Sequence, residues 1–221
     1  MSRKMNLVEK DFRLFNREVV LFVKLKQQFD YDEIEWIKQQ YKELWQKWKS
    51  LNLKAYEKSI RYIPYNKPKI ESWTNGWQIR KHYWASYRME GRESEATCIG
   101  VLLNRQNFRI TIMWQKYKKN QSTVSASQYN RNLKQIGEWA TKINQDNYFI
   151  WTTKSDEYDS YYSLSDYLTN SEIQATIKAE IDKDETFQIG YILKRQPEIK
   201  NVEEVVTEKL IELGELYQIF Q

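Results

Sequence analysis

Arg80, His82, Trp84 and Arg88 fall at even positions of one segment, and Arg109, Met113, Gln115 and Tyr117 at odd positions of another. In an extended chain, alternate side chains project from one face, so each set is expected to share a face of its strand. Cations attract phosphate, and flat rings stack on unpaired bases. A sheet face that mixes the two suits a flipped or single-stranded base, held in a cleft of Trp84 and Tyr117. The run Trp114-Gln115-Lys116-Tyr117-Lys118-Lys119 carries the same basic and aromatic interleaving beyond the second segment. The expected nucleic-acid contacts are therefore Arg80, His82, Trp84, Arg88, Arg109, Gln115, Lys116, Tyr117, Lys118 and Lys119, with DNA and RNA both open as ligands.

Charge distribution points the same way. The 221-residue chain has a net charge of +5. Residues 1–120 hold 25 Lys and Arg against 13 Asp and Glu, whereas residues 121–221 hold 10 against 17. A basic half can face a polyanion, or two halves of opposite sign can attract each other within or between chains. The second possibility gives an alternative reading, a protein–protein interaction or self-association module.

Catalytic signatures are missing. The six glycines are scattered, so no phosphate-cradling loop or dinucleotide fingerprint forms. With one histidine, His82, and one cysteine, Cys98, a Cys/His zinc site is excluded, and a His82–Cys98 nucleophile pair would need a thiol on a strand expected to be buried. Glu90, Glu93 and Glu95 at a turn, and Asp156, Glu157 and Asp159 in a loop, are the carboxylate clusters an unrecognised enzyme would use. Acidic turns are ordinarily just solvated, so the expectation is a non-catalytic binding protein with no cofactor and no metal.

The single cysteine excludes an internal disulfide framework and fits a reducing compartment. No secretory leader is visible in the first residues, and no apolar run approaches the roughly 18 residues that span a bilayer. The expected location is cytoplasmic, without membrane contact.

The elements that must position these residues follow from periodicity. Val8, Phe12, Phe15, Val19 and Phe22 form one stripe, predicting a helix over 7–29. Ile34, Ile37, Tyr41, Leu44, Trp48 and Leu51 predict a second over 32–51, with Asp30 and Asp32 as cap candidates. Residues 1–61 thus read as an antiparallel helical hairpin appended to a sheet domain over 77–221. Pro64 and Pro68 mark residues 62–76 as a packed connector. Strands are expected at 77–89, 96–103 (apolar on both faces, hence central), 108–117, 148–152 and 187–193. Helices are expected at 125–143, at 163–181 with a break near Asn170, and at 201–220, where Asn201 and Glu204 have the spacing of a capping box. The class is α+β: a helical hairpin, then a mixed or antiparallel sheet of about five strands with packing helices. Aromatics are 15% of the chain. Trp77, Tyr83, Tyr87, Phe108 and Trp114 are assigned to the core face, leaving the Trp84 and Tyr117 face for function.

Overall fold

The computed structural model describes residues 4–155, 161–183 and 185–220. The chain opens with β1 (Leu7–Val8), the short helix α1 (Glu9–Arg13) and a 3-10 turn at Leu14–Asn16. Helices α2 (Phe22–Gln28) and α3 (Tyr31–Ser59) follow. Next come β2 (Lys69–Ile70), β3 (His82–Tyr87), β4 (Thr97–Asn104) and β5 (Asn107–Trp114). After α4 (Ala126–Asn130) and α5 (Ile136–Ala140) the chain adds β6 (Tyr148–Thr152), β7 (Tyr162–Ser163), α6 (Leu164–Thr169) and α7 (Ser171–Ile181). It closes with β8 (Phe187–Lys194), β9 (Glu198–Ile199) and α8 (Val202–Ile219).

The α+β class holds. Seven strands form one antiparallel sheet in the order β2-β3-β4-β5-β8-β6-β7, and β1 pairs separately with β9. The five longer strands lie where alternation places them, with β4 central. The β4–β5 hairpin turns through Arg105 and Gln106, and Asn104 Oδ1 accepts the backbone N–H groups of Gln106 at 2.8 Å and Asn107 at 2.9 Å. Strands β2 and β7 have two residues each, too short to register as alternation. Strand β2 arises within the connector, where Lys69 and Ile70 pair with Ser86 and Ala85.

One face of the sheet is covered by α3, α7 and α8. Tyr83, Ala85, Tyr87, Ile99, Val101, Leu103, Phe108, Ile110 and Ile112 are all buried there. This aromatic core needs a partner for every phenol, and helix and strand carbonyls, each with a spare lone pair, supply it. Tyr83 donates to the Tyr41 carbonyl at 2.7 Å, Tyr87 to that of Asn52 at 2.9 Å, Tyr65 to that of Leu210 at 2.7 Å and Tyr217 to that of Thr97 at 2.9 Å. Helix α3 starts at the expected cap, Asp30 accepting the Glu33 N–H at 2.8 Å, and buries the expected stripe before continuing two turns further. Lys54 and Lys58 of α3 meet Glu203 of α8 at 3.7 and 2.7 Å, so part of the charge asymmetry is neutralised inside the chain.

Several sequence expectations are corrected. The helix expected over 7–29 is interrupted at 17–21, where the β-branched pair Val19-Val20 favours extended chain. There the Ile79 N–H donates to the Val20 carbonyl at 3.0 Å and the Phe22 N–H to that of Trp77 at 3.1 Å. The long first arm of a hairpin is therefore replaced by two short helices and an extended segment. The helix expected over 125–143 is divided by a 3-10 stretch at Arg131–Gln135, where Asn132 Nδ2 donates to the Tyr129 carbonyl at 3.0 Å. Asn201 is no capping box: it is left-handed at φ 51° and makes no side-chain cap bond. Asn6 Oδ1 accepts its N–H at 3.0 Å instead. Trp77, assigned to the core, is 69% exposed. Among the described residues no helix is long and apolar enough to cross a membrane.

Candidate nucleic-acid interface

The other face of the sheet carries a polar and aromatic set in cross-strand rows. One row runs Trp84–Leu102–Arg109–Ile192 and the next Ser86–Gly100–Thr111–Gly190–Phe149, with the pairs Cys98–Met113 and Gln188–Trp151 beyond them. The middle row is small from Ser86 to Gly190, and the Trp84 ring of the flanking row folds over Gly100. A Cβ on Gly100 would sit 1.9 Å from the Trp84 ring. A Cβ on Gly190 would meet the Ile110 carbonyl at 2.3 Å. Glycine at position 100 is thus what lets Trp84 settle onto the sheet.

Two depressions open on this side. The first, about 370 Å³, is lined by His82, Trp84, Arg109, Gln115, Tyr117 and Trp151 among others. The second, about 470 Å³, lies at the β4–β5 hairpin end and includes Arg105, Asn107, Tyr161, Lys194 and Arg195. No α-helix residue and no carboxylate lines either depression among the described residues.

Arg109 stands between them. It is 5% exposed, and its Nη1 donates to the Tyr161 hydroxyl at 3.0 Å. Its guanidinium lies 5.9 Å from the Trp151 ring centre, and Trp151 in turn packs on Tyr161 at 4.4 Å. Arg109 Nε has no hydrogen-bond partner, and the residue has no carboxylate partner among the described residues. The same strand carries two further buried oxygens without partners, Asn107 Oδ1 and Thr111 Oγ1, both on this face. A buried cation and a line of unmet polar atoms are costly unless something completes them.

At the far edge, Gln115 is held by Arg88. The buried Arg88 donates Nε to the Glu95 carbonyl at 3.0 Å, Nη1 to Ser86 Oγ at 3.2 Å, and Nη2 to Gln115 Oε1. The same Gln115 oxygen accepts the Tyr117 hydroxyl at 3.0 Å. Tyr117 stays 76% exposed, a ring tethered by its hydroxyl with its face free. Burial raises the pKa of its phenol.

Of the ten residues singled out from sequence, the structure brings together His82, Trp84, Arg109, Gln115 and Tyr117. Arg88 lies beneath, as the positioner of Gln115. Arg80 is turned to Glu71 at 2.9 Å and does not line the depression. Lys116 and Lys119 are exposed beyond the rim. Lys118 donates to the Glu93 carbonyl at 3.1 Å, and burial with the nearby Arg88 charge lowers its pKa. Trp151 and Tyr161 were missed. Trp151 sits at an alternate position of β6, a signal present but short, whereas Tyr161 belongs to a loop with no period.

The catalytic alternatives find little geometry. Cys98 is fully buried and its thiol pKa is pushed up to about 11 by burial. His82 pairs across from Asn104, six residues along β4 from Cys98 and so about 20 Å away. Glu95 is held by Ser122 Oγ at 2.5 Å, the Val124 N–H at 3.1 Å and Thr123. Burial alone would raise its pKa, but these hydrogen bonds outweigh it and lower it. Glu93 accepts from Asn66 at 2.6 Å. Each is a loop anchor, and no group of three metal-ligating side chains converges among the described residues. Asp156, Glu157 and Asp159 lie outside the described residues.

Comparison with known proteins places the chain in a family. It belongs to an uncharacterised protein family whose model matches residues 7–220. It is similar to an uncharacterized protein of Haemophilus influenzae, with 33% identity over 159 residues, covering 71% of this chain and 72% of that protein.

Proposed function

We propose that the protein is a non-catalytic, cytoplasmic binder of single-stranded nucleic acid, DNA or RNA, using the open sheet face. The observation that carries this reading is the first depression: Trp84, Tyr117, Trp151 and the buried Arg109 line it together, with no carboxylate among the described lining residues. Rings accept a base by stacking, and a cation without a carboxylate partner accepts its phosphate. The volume, about 370 Å³, is that of an ordinary small-ligand pocket and would hold one nucleotide. The assembly alternative is weakened because the opposite-charge halves already meet through Lys54, Lys58 and Glu203.

Titration of tryptophan fluorescence with short DNA and RNA oligonucleotides tests the reading. Quenching that weakens with added salt is expected, with a log–log slope of about −0.7 per phosphate contacted. Tyr117→Ala should lower affinity by about 1–3 kcal/mol while leaving the unfolding midpoint near wild type, because the ring is exposed. Absence of quenching at low ionic strength would sink the proposal.

A further inference from the structure

We propose that the two depressions are successive subsites for one strand, the first taking a base and the hairpin-end depression the neighbouring phosphates; this rests on the nucleic-acid reading above. Both open on the same sheet face, and the cluster of Arg109, Trp151 and Tyr161 is the wall they share: Arg109 and Trp151 line one side, Tyr161 the other. The distribution of chemistry differs across that wall. The Trp84 and Tyr117 side is aromatic, with Arg109 as the buried cation among its described lining residues. The hairpin side has exposed Arg105 and Lys194 together with Arg195, whose backbone N–H donates to the Gln106 carbonyl at 2.7 Å and so fixes the rim. Arg195 also meets Glu9 at 2.8 Å, and the test is placed on Arg105 and Lys194 because both are exposed on this rim.

Asn107 strengthens the assignment. It is 5% exposed, lines the hairpin depression, and has an oxygen without a partner. A buried amide left incomplete is explained if a ligand donor completes it when the subsite fills. From Asn107 to Gln115 the face runs eight residues along the chain, about 27 Å of extended backbone, so a single nucleotide cannot occupy it end to end. Grooves of this kind take about four nucleotides or more.

The test is a length series of thymidine nucleotides, from the monophosphate to chains of two, four and eight, read by tryptophan quenching. Affinity should rise at least tenfold between the mononucleotide and the four-nucleotide chain. An Arg105→Glu/Lys194→Glu double variant should abolish that rise and leave mononucleotide quenching unchanged. A Lys24→Glu/Lys26→Glu variant, with the same charge change on exposed positions of α2, should retain the rise. A four-nucleotide chain that binds no tighter than the mononucleotide, or a hairpin variant that binds it like wild type, overturns the two-subsite inference while mononucleotide quenching keeps the proposed function. Failure of every nucleotide to quench removes both.

Discussion

Lys209 and Arg109 are buried to nearly the same depth, 6% and 5% exposed, on opposite sides of one sheet. Around Lys209, Glu208 lies at 2.8 Å and Glu212 at 3.0 Å, the Tyr148 and Tyr191 rings lie 5.5 and 5.0 Å away, and Tyr148 donates to Glu212 at 2.5 Å. Burial alone would lower the lysine's pKa; the two carboxylates outweigh it and raise it. Around Arg109 there are rings and a phenol but, among the described residues, no carboxylate. The helix-covered face closes the electrostatics of its lysine internally, whereas among the described residues no carboxylate does so for Arg109. On the proposed reading, that difference separates a cation that belongs to the fold from one available to an external anion.

The sharpest way to break this comparison is to remove each charge. Lys209→Met leaves Glu212 half-buried without its cation and should cost about 3 kcal/mol, lowering the unfolding midpoint by roughly 6–12 °C. Its stabilising effect is present below the ordinary lysine pKa and lost as pH rises through the raised one, so wild type and variant should converge only in strong alkali. Arg109→Leu should show the opposite pattern: oligonucleotide affinity falls at least tenfold, and thermal stability stays within about 1 kcal/mol of wild type or increases, because a buried charge with no carboxylate partner among the described residues is gone. A large stability loss in Arg109→Leu would make the arginine structural and erase the distinction. Gly100→Ala comes next. Its methyl collides with the Trp84 ring, so it should cost about 1–3 kcal/mol and weaken binding by lifting the ring from the sheet. The smallest effect concerns a compensated anion. Glu95 has a lowered pKa, so its contribution is present above about pH 4.3 and fades as pH falls through the folded value. Glu95→Gln should lose about 1 kcal/mol at neutral pH and show a flatter acid limb in a denaturant series.

Alternation made the five longer strands and the division of faces legible, because period two survives wherever one side is buried. It correctly put Tyr83, Tyr87 and Phe108 in the core and Trp84 and Tyr117 on the other side. It failed where neighbours decide. Whether residues 17–21 extend a helix or pair with 77–79 depends on a segment 60 residues away. Arg88 and Arg109 look alike in sequence, yet one is held by Glu95, Ser86 and Gln115 while the other donates to the Tyr161 hydroxyl. Trp151 joins the site only because β8 lies between β5 and β6, a strand order that no local pattern encodes.

That strand order also has a kinetic consequence. Strands β3, β4 and β5 are contiguous hairpins and can associate locally, but β8 is made some seventy residues after β5 and must enter the middle of the sheet, bringing β6 with it. Closing such a loop places assembly on the slower, non-local side of folding. Trp84 and Arg109 are set by the early meander, whereas Trp151, Gln188 and Lys194 arrive with the late insertion. During refolding, ligand-dependent quenching should therefore lag the gain of secondary structure, making the open face a clock for completion of the sheet.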